Sequence, residues 1–203
     1  MSRVLVLTLR GDEMQLPAVP PLAPRRGGRL TRWIGKLGMA LLGWRVEGEF
    51  PNHPKMVVAG APHSTNWDFP VAMSTVFALN LRIRFMAKAS LFQGLAGPIM
   101  LWFGGLRVDR SQAADVVDQV VAQIAQTEAI WLCIAPEGTR KKVERFRSGF
   151  LRIARAAQIP IMLLVIDRRE QVIRLGPLWY PTEDIEADRL AIEKWFEPYQ
   201  AGR

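Results

Sequence analysis

Short apolar runs and helix-like segments alternate along most of the 203-residue chain. Runs such as MVVAGA at 56–61 and IPIMLLVID at 159–167 have the length and the aliphatic content of buried strands. Between such runs, apolar residues recur at the three- and four-residue spacing of a helix that covers a core. This alternation predicts a single α/β domain in which helices flank a mixed central sheet.

The predicted elements follow from these patterns. Strands are predicted at 56–61, 82–88, 129–135, 159–167 and 171–178, and helices at 30–44, 67–79, around 116–124, at 149–158 and at 183–197. The uncharged run at 89–106 reaches the length of a membrane span, but glycines and Pro98 interrupt it. We expect loop and a short helix there, not a transmembrane helix.

The chain is predicted to divide near residue 28. Residues 1–28 are interpreted as a leader and a linker, because 16–28 (LPAVPPLAPRRGG) is rich in proline and then glycine and is expected to have little fixed structure. Residues 29–203 form the main domain.

A basic amphipathic helix is predicted over 29–44, at the start of that domain. Arg29, Arg32 and Lys36 occupy a different face from the apolar residues. Two interpretations stay open: the apolar face packs on the domain's own core, or it lies in a membrane interface with its cations on anionic lipid. The apolar residues are Leu30, Trp33, Ile34, Leu37, Leu41 and Trp44.

A formal net charge of +8 predicts attraction to an anionic partner. A phosphate-bearing molecule or a membrane surface fits better than nucleic acid, because the basic residues are spread out and no recognition motif is found. The single cysteine, Cys133, is expected to fill a strand core, which fits a reducing compartment. The N-terminal segment has no secretory-signal pattern, so we expect a location in the cytosol or on its membranes.

Two stretches carry candidate chemistry. His63 and Asp68 lie in APHSTNWDFP, between a strand-like and a helix-like run, and histidine can exchange a proton near neutral pH. PEGTRKK at 136–142 follows a strand and offers a glycine for close backbone approach and cations for phosphate. Taken singly, a helix-capping histidine and a solvated basic turn explain these stretches as well or better.

Four blocks in the same order resemble the glycerolipid acyltransferase superfamily, whose type members are the 1-acyl-glycerol-3-phosphate acyltransferases. The blocks are the H-x-x-x-x-D spacing at 63–68, GLRVDR at 105–110, PEGTR at 136–140 and IPIMLLVID from 159. Together they are a specific signal, although H-x-x-x-x-D alone is weak. Pro62 and Ala135 stand where the family often has asparagine and phenylalanine, which indicates a divergent branch.

The resemblance implies a glycerol-3-phosphate acyltransferase-like fold and a catalytic pair. His63 is expected to act as the general base on the acceptor hydroxyl, and Asp68 to orient its imidazole. We expect the two side chains to face each other if Asp68 lies in the first turn of the following helix. Ser64 as a covalent nucleophile ranks well below, because it directly adjoins His63.

The resemblance also implies an acceptor-binding loop. Its residues are expected to be Glu137, Gly138, Thr139 and Arg140, with Arg140 on the acceptor's phosphate and Arg110 as a second contact. The hydroxyl of Thr139 is interpreted as bonding within the turn. Arg147, near the start of a predicted helix, is a further candidate contact for an anion, but the interpretation as a solvated surface arginine is preferred. Residues 94–105 are a candidate lining of the acyl-chain route, and ordinary core packing explains them equally well.

The sequence thus predicts an O-acyltransferase that moves an acyl group from acyl-CoA or acyl carrier protein to a lysophospholipid, with no metal or other cofactor. It is expected to be peripheral or monotopic, on the cytoplasmic face of the cell membrane. Two alternatives stay open: a different amphiphilic acceptor, such as a lyso-aminolipid or a glycolipid, and a non-catalytic membrane lipid-binding protein.

Overall fold

A computed structural model of the chain describes residues 16–63, 65, 67–88, 92–108, 113–139, 143 and 145–200. Seven strands in these ranges form one sheet in the order β1-β7-β6-β2-β5-β3-β4. Neighbouring strands are parallel except for β6 and β7, which pair antiparallel. The strands are β1 Arg45–Glu47, β2 Lys55–Ala61, β3 Ile83–Lys88, β4 Gly105–Val108, β5 Ile130–Ile134, β6 Ile161–Asp167 and β7 Val172–Trp179.

Helices cover both faces of the sheet. They are α1 Arg29–Leu42, α2 Asp68–Ala78, α3 Ala96–Phe103, α4 Ala113–Ala125, α5 Gly149–Ala156 and α6 Ile185–Gln200. Val57 of β2 belongs to a core cluster with residues of α4, α5 and α6, whereas its neighbour Val58 belongs to a second cluster with residues of α2. Because successive strand residues point to opposite faces, these clusters lie on the two sides of the sheet.

The predicted fold class is confirmed: the domain is α/β, with a mixed central sheet flanked by helices. Each predicted strand and helix corresponds to an observed element, and α3 is the short helix expected within 89–106. Strands β1 and β4 were not predicted. β1 has only three residues, and β4 lies in the glycine-rich interval that was assigned to loop.

The prediction that 16–28 has little fixed structure is wrong. Arg25 forms an isolated antiparallel bridge with Leu81, the Arg26 N–H donates to the Asn80 carbonyl at 3.0 Å, and the Ala23 side chain is buried. The Arg26 guanidinium lies 4.1 Å from the ring centroid of Trp102. Proline removes backbone donors, but remaining amides of this segment still find acceptors: the Ala23 N–H donates to the Pro20 carbonyl and the Leu22 N–H to Asn52 Oδ1.

Helix α1 packs on α2 through small residues. A Cβ atom added to Gly35 would lie 2.2 Å from the Ala78 nitrogen, and one added to Gly38 would lie 2.5 Å from the Ser74 Oγ. The Thr75 hydroxyl contacts the Met39 sulfur at 3.0 Å. The backbones of the two helices therefore approach closely. The face of α1 that makes this contact carries small residues, so the spacing of the large apolar residues does not indicate it.

Replacing Gly35 with valine tests this contact. The added side chain meets backbone atoms of α2 that cannot move aside, so we expect α1 to shift and the free energy of unfolding to fall by about 1 to 3 kcal/mol. Gly149→Ala is the matched control, because a Cβ atom at Gly149 meets nothing within 4 Å. Thermal melting of both variants measures the effect, and an unchanged melting temperature for Gly35→Val would contradict the observed packing.

Candidate active site

Three neighbouring strands bring the candidate residues to one edge of the sheet. β2 lies between β5 and β6 and is parallel to both, so the carboxyl ends of the three strands share an edge. His63 follows β2, Glu137 follows β5 and Arg168 follows β6. Residues that are far apart in sequence therefore meet around His63.

His63 and Asp68 face each other as predicted. Asp68 is the first residue of α2, and its Oδ2 lies 3.1 Å from His63 Nδ1. Only 2% of the Asp68 side chain is exposed, compared with 29% for the imidazole. Because a carboxylate only accepts hydrogen bonds, a neutral imidazole in this contact carries its proton on Nδ1 and its lone pair on Nε2. The imidazole is thus arranged to take a proton at Nε2.

Thr65 shapes the short loop between the two residues. Its N–H donates to Asp68 Oδ2 at 3.0 Å, and its hydroxyl oxygen accepts from the Trp67 N–H at 3.1 Å. These bonds satisfy amides at the start of α2, as capping side chains do at other helix N-termini. Thr65 is therefore tied to the start of α2, beside the contact between His63 and Asp68.

Arg168 is the functional candidate that the sequence did not reveal. Its Nε lies 3.1 Å and its Nη2 lies 2.9 Å from Asp68 Oδ1, and Nη2 also donates to the Thr65 hydroxyl. The sequence feature that could have indicated Arg168 is a basic residue directly after a predicted strand. That signal points to the site only once β6 is known to lie beside β2.

Glu137 is directed toward His63. Its side chain is buried, and its Oε1 and Oε2 lie 3.2 Å and 2.9 Å from the His63 backbone nitrogen, which donates to them. The PEGTR segment thus supports the backbone of the histidine itself. Membership of Glu137, Gly138 and Thr139 in an acceptor-binding loop stays a prediction.

Gly138 has a conformation and surroundings that exclude a side chain. Its φ is +65°, and an added Cβ atom would lie 2.5 Å from the Arg147 Cδ. Arg147 was interpreted as a solvated surface residue; it is exposed, but it packs against this loop, and its N–H donates to the Pro136 carbonyl at 2.8 Å. Arg110, Arg140 and the alternative nucleophile Ser64 lie outside the described residues.

An apolar cavity of about 310 Å³ extends from His63 and Asp68 between α2 and the sheet. Its lining includes Phe50, Phe69, Phe85, Trp131, Met162 and Leu175. The expectation that 94–105 would line an acyl-chain route is wrong for this cavity. Leu101 and Trp102 of α3 are exposed instead.

Comparison with known proteins agrees with this geometry. A family model described as Acyltransferase matches residues 44–167, which is more than half of the chain. The chain belongs to the acyltransferase family. The predicted family and the predicted enzyme class, an O-acyltransferase, are confirmed. No curated protein matches the chain significantly.

A solved structure with a similar fold is the 1-acyl-sn-glycerophosphate (LPA) acyltransferase PlsC from Thermotoga maritima. The two chains are 16% identical, the TM-score is 0.60, and the match covers 86% of this acyltransferase and 80% of the other chain. At this identity the similarity concerns the fold.

Two findings concern the described part of the acyltransferase only. None of its helices there combines the length and the apolarity that crossing a membrane requires. No three histidine, cysteine, aspartate or glutamate side chains there are grouped as metal ligands.

Cys133 of the acyltransferase lines the apolar cavity from β5. Burial raises the pKa of its thiol to about 12, because the thiolate would lose its hydration. The thiol therefore stays protonated at every pH well below that value, and the expected role of Cys133 as a core residue agrees with its surroundings.

We expect Cys133 to resist iodoacetamide at pH 8 in the folded protein and to react completely in denaturant. It is the chain's single cysteine, so the mass of the intact protein reports this one site. Fast labelling of the folded protein would contradict the raised pKa of this thiol.

Proposed function

We propose that this acyltransferase transfers a fatty acyl group from an acyl thioester, either acyl-CoA or acyl carrier protein, to the hydroxyl of a lysophospholipid such as 1-acyl-glycerol-3-phosphate. The observation that carries the proposal is the His63–Asp68 pair at the mouth of an apolar cavity. The pair supplies a base for the acceptor hydroxyl, and the cavity beside it has space for a hydrocarbon chain.

The reaction needs a base, because an alcohol is a weak nucleophile until its proton is removed. His63 Nε2 takes the proton while the hydroxyl oxygen attacks the thioester carbonyl carbon. Asp68 stabilises the imidazolium that forms. When the carbon–sulfur bond breaks, the thiolate takes the proton back from Nε2, so the enzyme is regenerated without an acyl-enzyme intermediate.

The cavity is suited to an acyl chain. Aromatic and aliphatic side chains line it from α2 on one side and from the sheet on the other. Each methylene buried there contributes about 0.8 kcal/mol to binding, so chain burial helps to hold the thioester carbonyl at His63.

Cations beside the PEGTR segment are suited to the acceptor's phosphate. We assign the phosphate to Arg140, with Arg110 and Arg147 as further contacts. Arg147 supports this assignment because its side chain packs on Gly138, next to the residue that binds the His63 backbone. A guanidinium forms strong charge-assisted bonds to phosphate oxygens, and these would position the reacting hydroxyl.

We further propose that the enzyme works on the cytoplasmic face of the membrane as a peripheral or monotopic protein. Five large apolar side chains of α1 are exposed, and so are four in α3 and the residue before it: Leu30, Trp33, Ile34, Leu37, Leu41, Leu95, Ile99, Leu101 and Trp102. Phe77 connects the two helices, because it lies against Gly35 of α1 and 5.4 Å from the ring of Trp102. Exposed apolar side chains on two helices that pack near each other, with cations on α1, fit an anionic bilayer.

Two substitutions test the catalytic pair. His63→Ala removes the base and should lower turnover by about a hundred-fold or more. Asp68→Asn should also lower turnover strongly, because the tautomer of His63 is then no longer fixed by a carboxylate. The assay uses purified protein with labelled acyl thioesters and a panel of lysophospholipids, a lyso-aminolipid and a glycolipid, with products identified by mass spectrometry.

Ser64→Ala is the control, and it should transfer acyl groups at nearly the wild-type rate. A folded His63→Ala variant with normal turnover would rule out the general-base assignment, and a large defect in Ser64→Ala would favour a covalent route. Products formed only from the lyso-aminolipid or the glycolipid would overturn the lysophospholipid assignment.

Vesicle binding tests the membrane surface. Trp33 and Leu37 are 61% and 41% exposed, so changing both to serine should leave the melting temperature nearly unchanged and weaken co-sedimentation with neutral and anionic vesicles. Replacing Arg29, Arg32 and Lys36 with glutamine should weaken binding to anionic vesicles alone, as high salt does. Unaltered binding in both variants would contradict the proposal.

A further inference from the structure

Arg168 binds the Asp68 carboxylate on the side opposite to His63. The Arg168 Nε and Nη2 atoms lie 3.1 Å and 2.9 Å from Asp68 Oδ1, whereas His63 Nδ1 lies 3.1 Å from Oδ2. One carboxylate oxygen thus faces a permanent cation and the other faces the imidazole. Since the Asp68 side chain is almost completely buried, these contacts replace much of the hydration that the carboxylate has lost.

The same guanidinium holds the loop between the two catalytic residues. Nη2 donates to the Thr65 hydroxyl, and the Thr65 N–H donates to Asp68 Oδ2 at 3.0 Å. Arg168 extends from the end of β6, the strand beside β2. It therefore ties the loop and the start of α2 to the rigid edge of the sheet.

We propose that Arg168 is a positioning residue that fixes the orientation of Asp68 and tunes the proton affinity of His63. This inference rests on the proposed function of the pair. The positive charge of the guanidinium partly offsets the negative charge of the Asp68 carboxylate. Asp68 therefore stabilises the imidazolium less than a carboxylate without this partner would. His63 then returns its proton more readily to the departing thiolate.

Among the residues that the structure describes, the charged groups that face His63 come from three elements. They are Asp68 of α2, Glu137 after β5, which binds the His63 backbone, and Arg168 after β6, which acts through Asp68. Removing the charge of Arg168 removes a cation that partly offsets the negative charges of Asp68 and Glu137. The protonated imidazole gains stability, and the acidic limb of the activity profile moves to higher pH.

Arg168→Gln and Arg168→Lys separate charge from geometry. In Arg168→Gln we expect kcat to fall by about ten- to a hundred-fold with little change in either KM, and the acidic limb of kcat/KM to move to higher pH. Arg168→Lys keeps the cation, so the limb should stay within a few tenths of a unit of wild type while kcat recovers in part. Arg155→Gln is the control, since Arg155 is exposed at the far end of α5 and bonds the Glu183 carbonyl.

Titration of the His63 ring by NMR provides a readout that needs no substrate. The chain has only two histidines, so His53→Gln assigns the signals. The His63 midpoint should rise in Arg168→Gln and return to the wild-type value in Arg168→Lys. An unchanged midpoint in a folded Arg168→Gln protein, or a rise in acceptor KM alone, would overturn the positioning role. Absence of acyl transfer in the wild-type protein would overturn the proposed function, while the titration would still decide the role of Arg168.

Discussion

The buried carboxylate of Asp68 is the group on which the site depends. A charge taken out of water at this depth destabilises the fold unless donors surround it. Asp68 receives donors from His63 and Thr65 in the loop after β2 and from Arg168 at the end of β6. Satisfying this one group thus fixes the start of α2, the loop and the edge of the sheet in a single arrangement.

That arrangement places the His63 imidazole at an apolar cavity. The cavity beneath it lies between α2 and the sheet, and the exposed apolar residues of α1 and α3 lie on the same side of the sheet as α2. A base at this position can meet an acyl chain that is buried in the protein. Under the proposed membrane association, the exposed apolar residues of α1 and α3 would hold the enzyme at the bilayer that contains its lipid acceptor.

Local patterns predicted five of the seven described strands, the helices and the H-x-x-x-x-D pair, because each depends on residues close together in sequence. The strand order was not predictable from the sequence, and Arg168 joins the site only because β6 lies beside β2. Periodicity located the apolar face of α1 but did not show whether that face points to the core or to solvent. The helix packs on α2 through Gly35 and leaves Trp33 exposed. Composition misjudged 16–28, because proline content does not reveal that Arg26 finds a backbone partner at Asn80.

The central claim is that Asp68 holds His63 with its proton on Nδ1, which leaves Nε2 as the base. Nitrogen-15 NMR of the histidine rings at alkaline pH, where the imidazole is neutral, measures this directly. The account predicts a protonated Nδ1 and an unprotonated Nε2 for His63 in the wild-type protein, and loss of that preference in Asp68→Asn. A His63 ring protonated on Nε2 in the wild-type protein would contradict it.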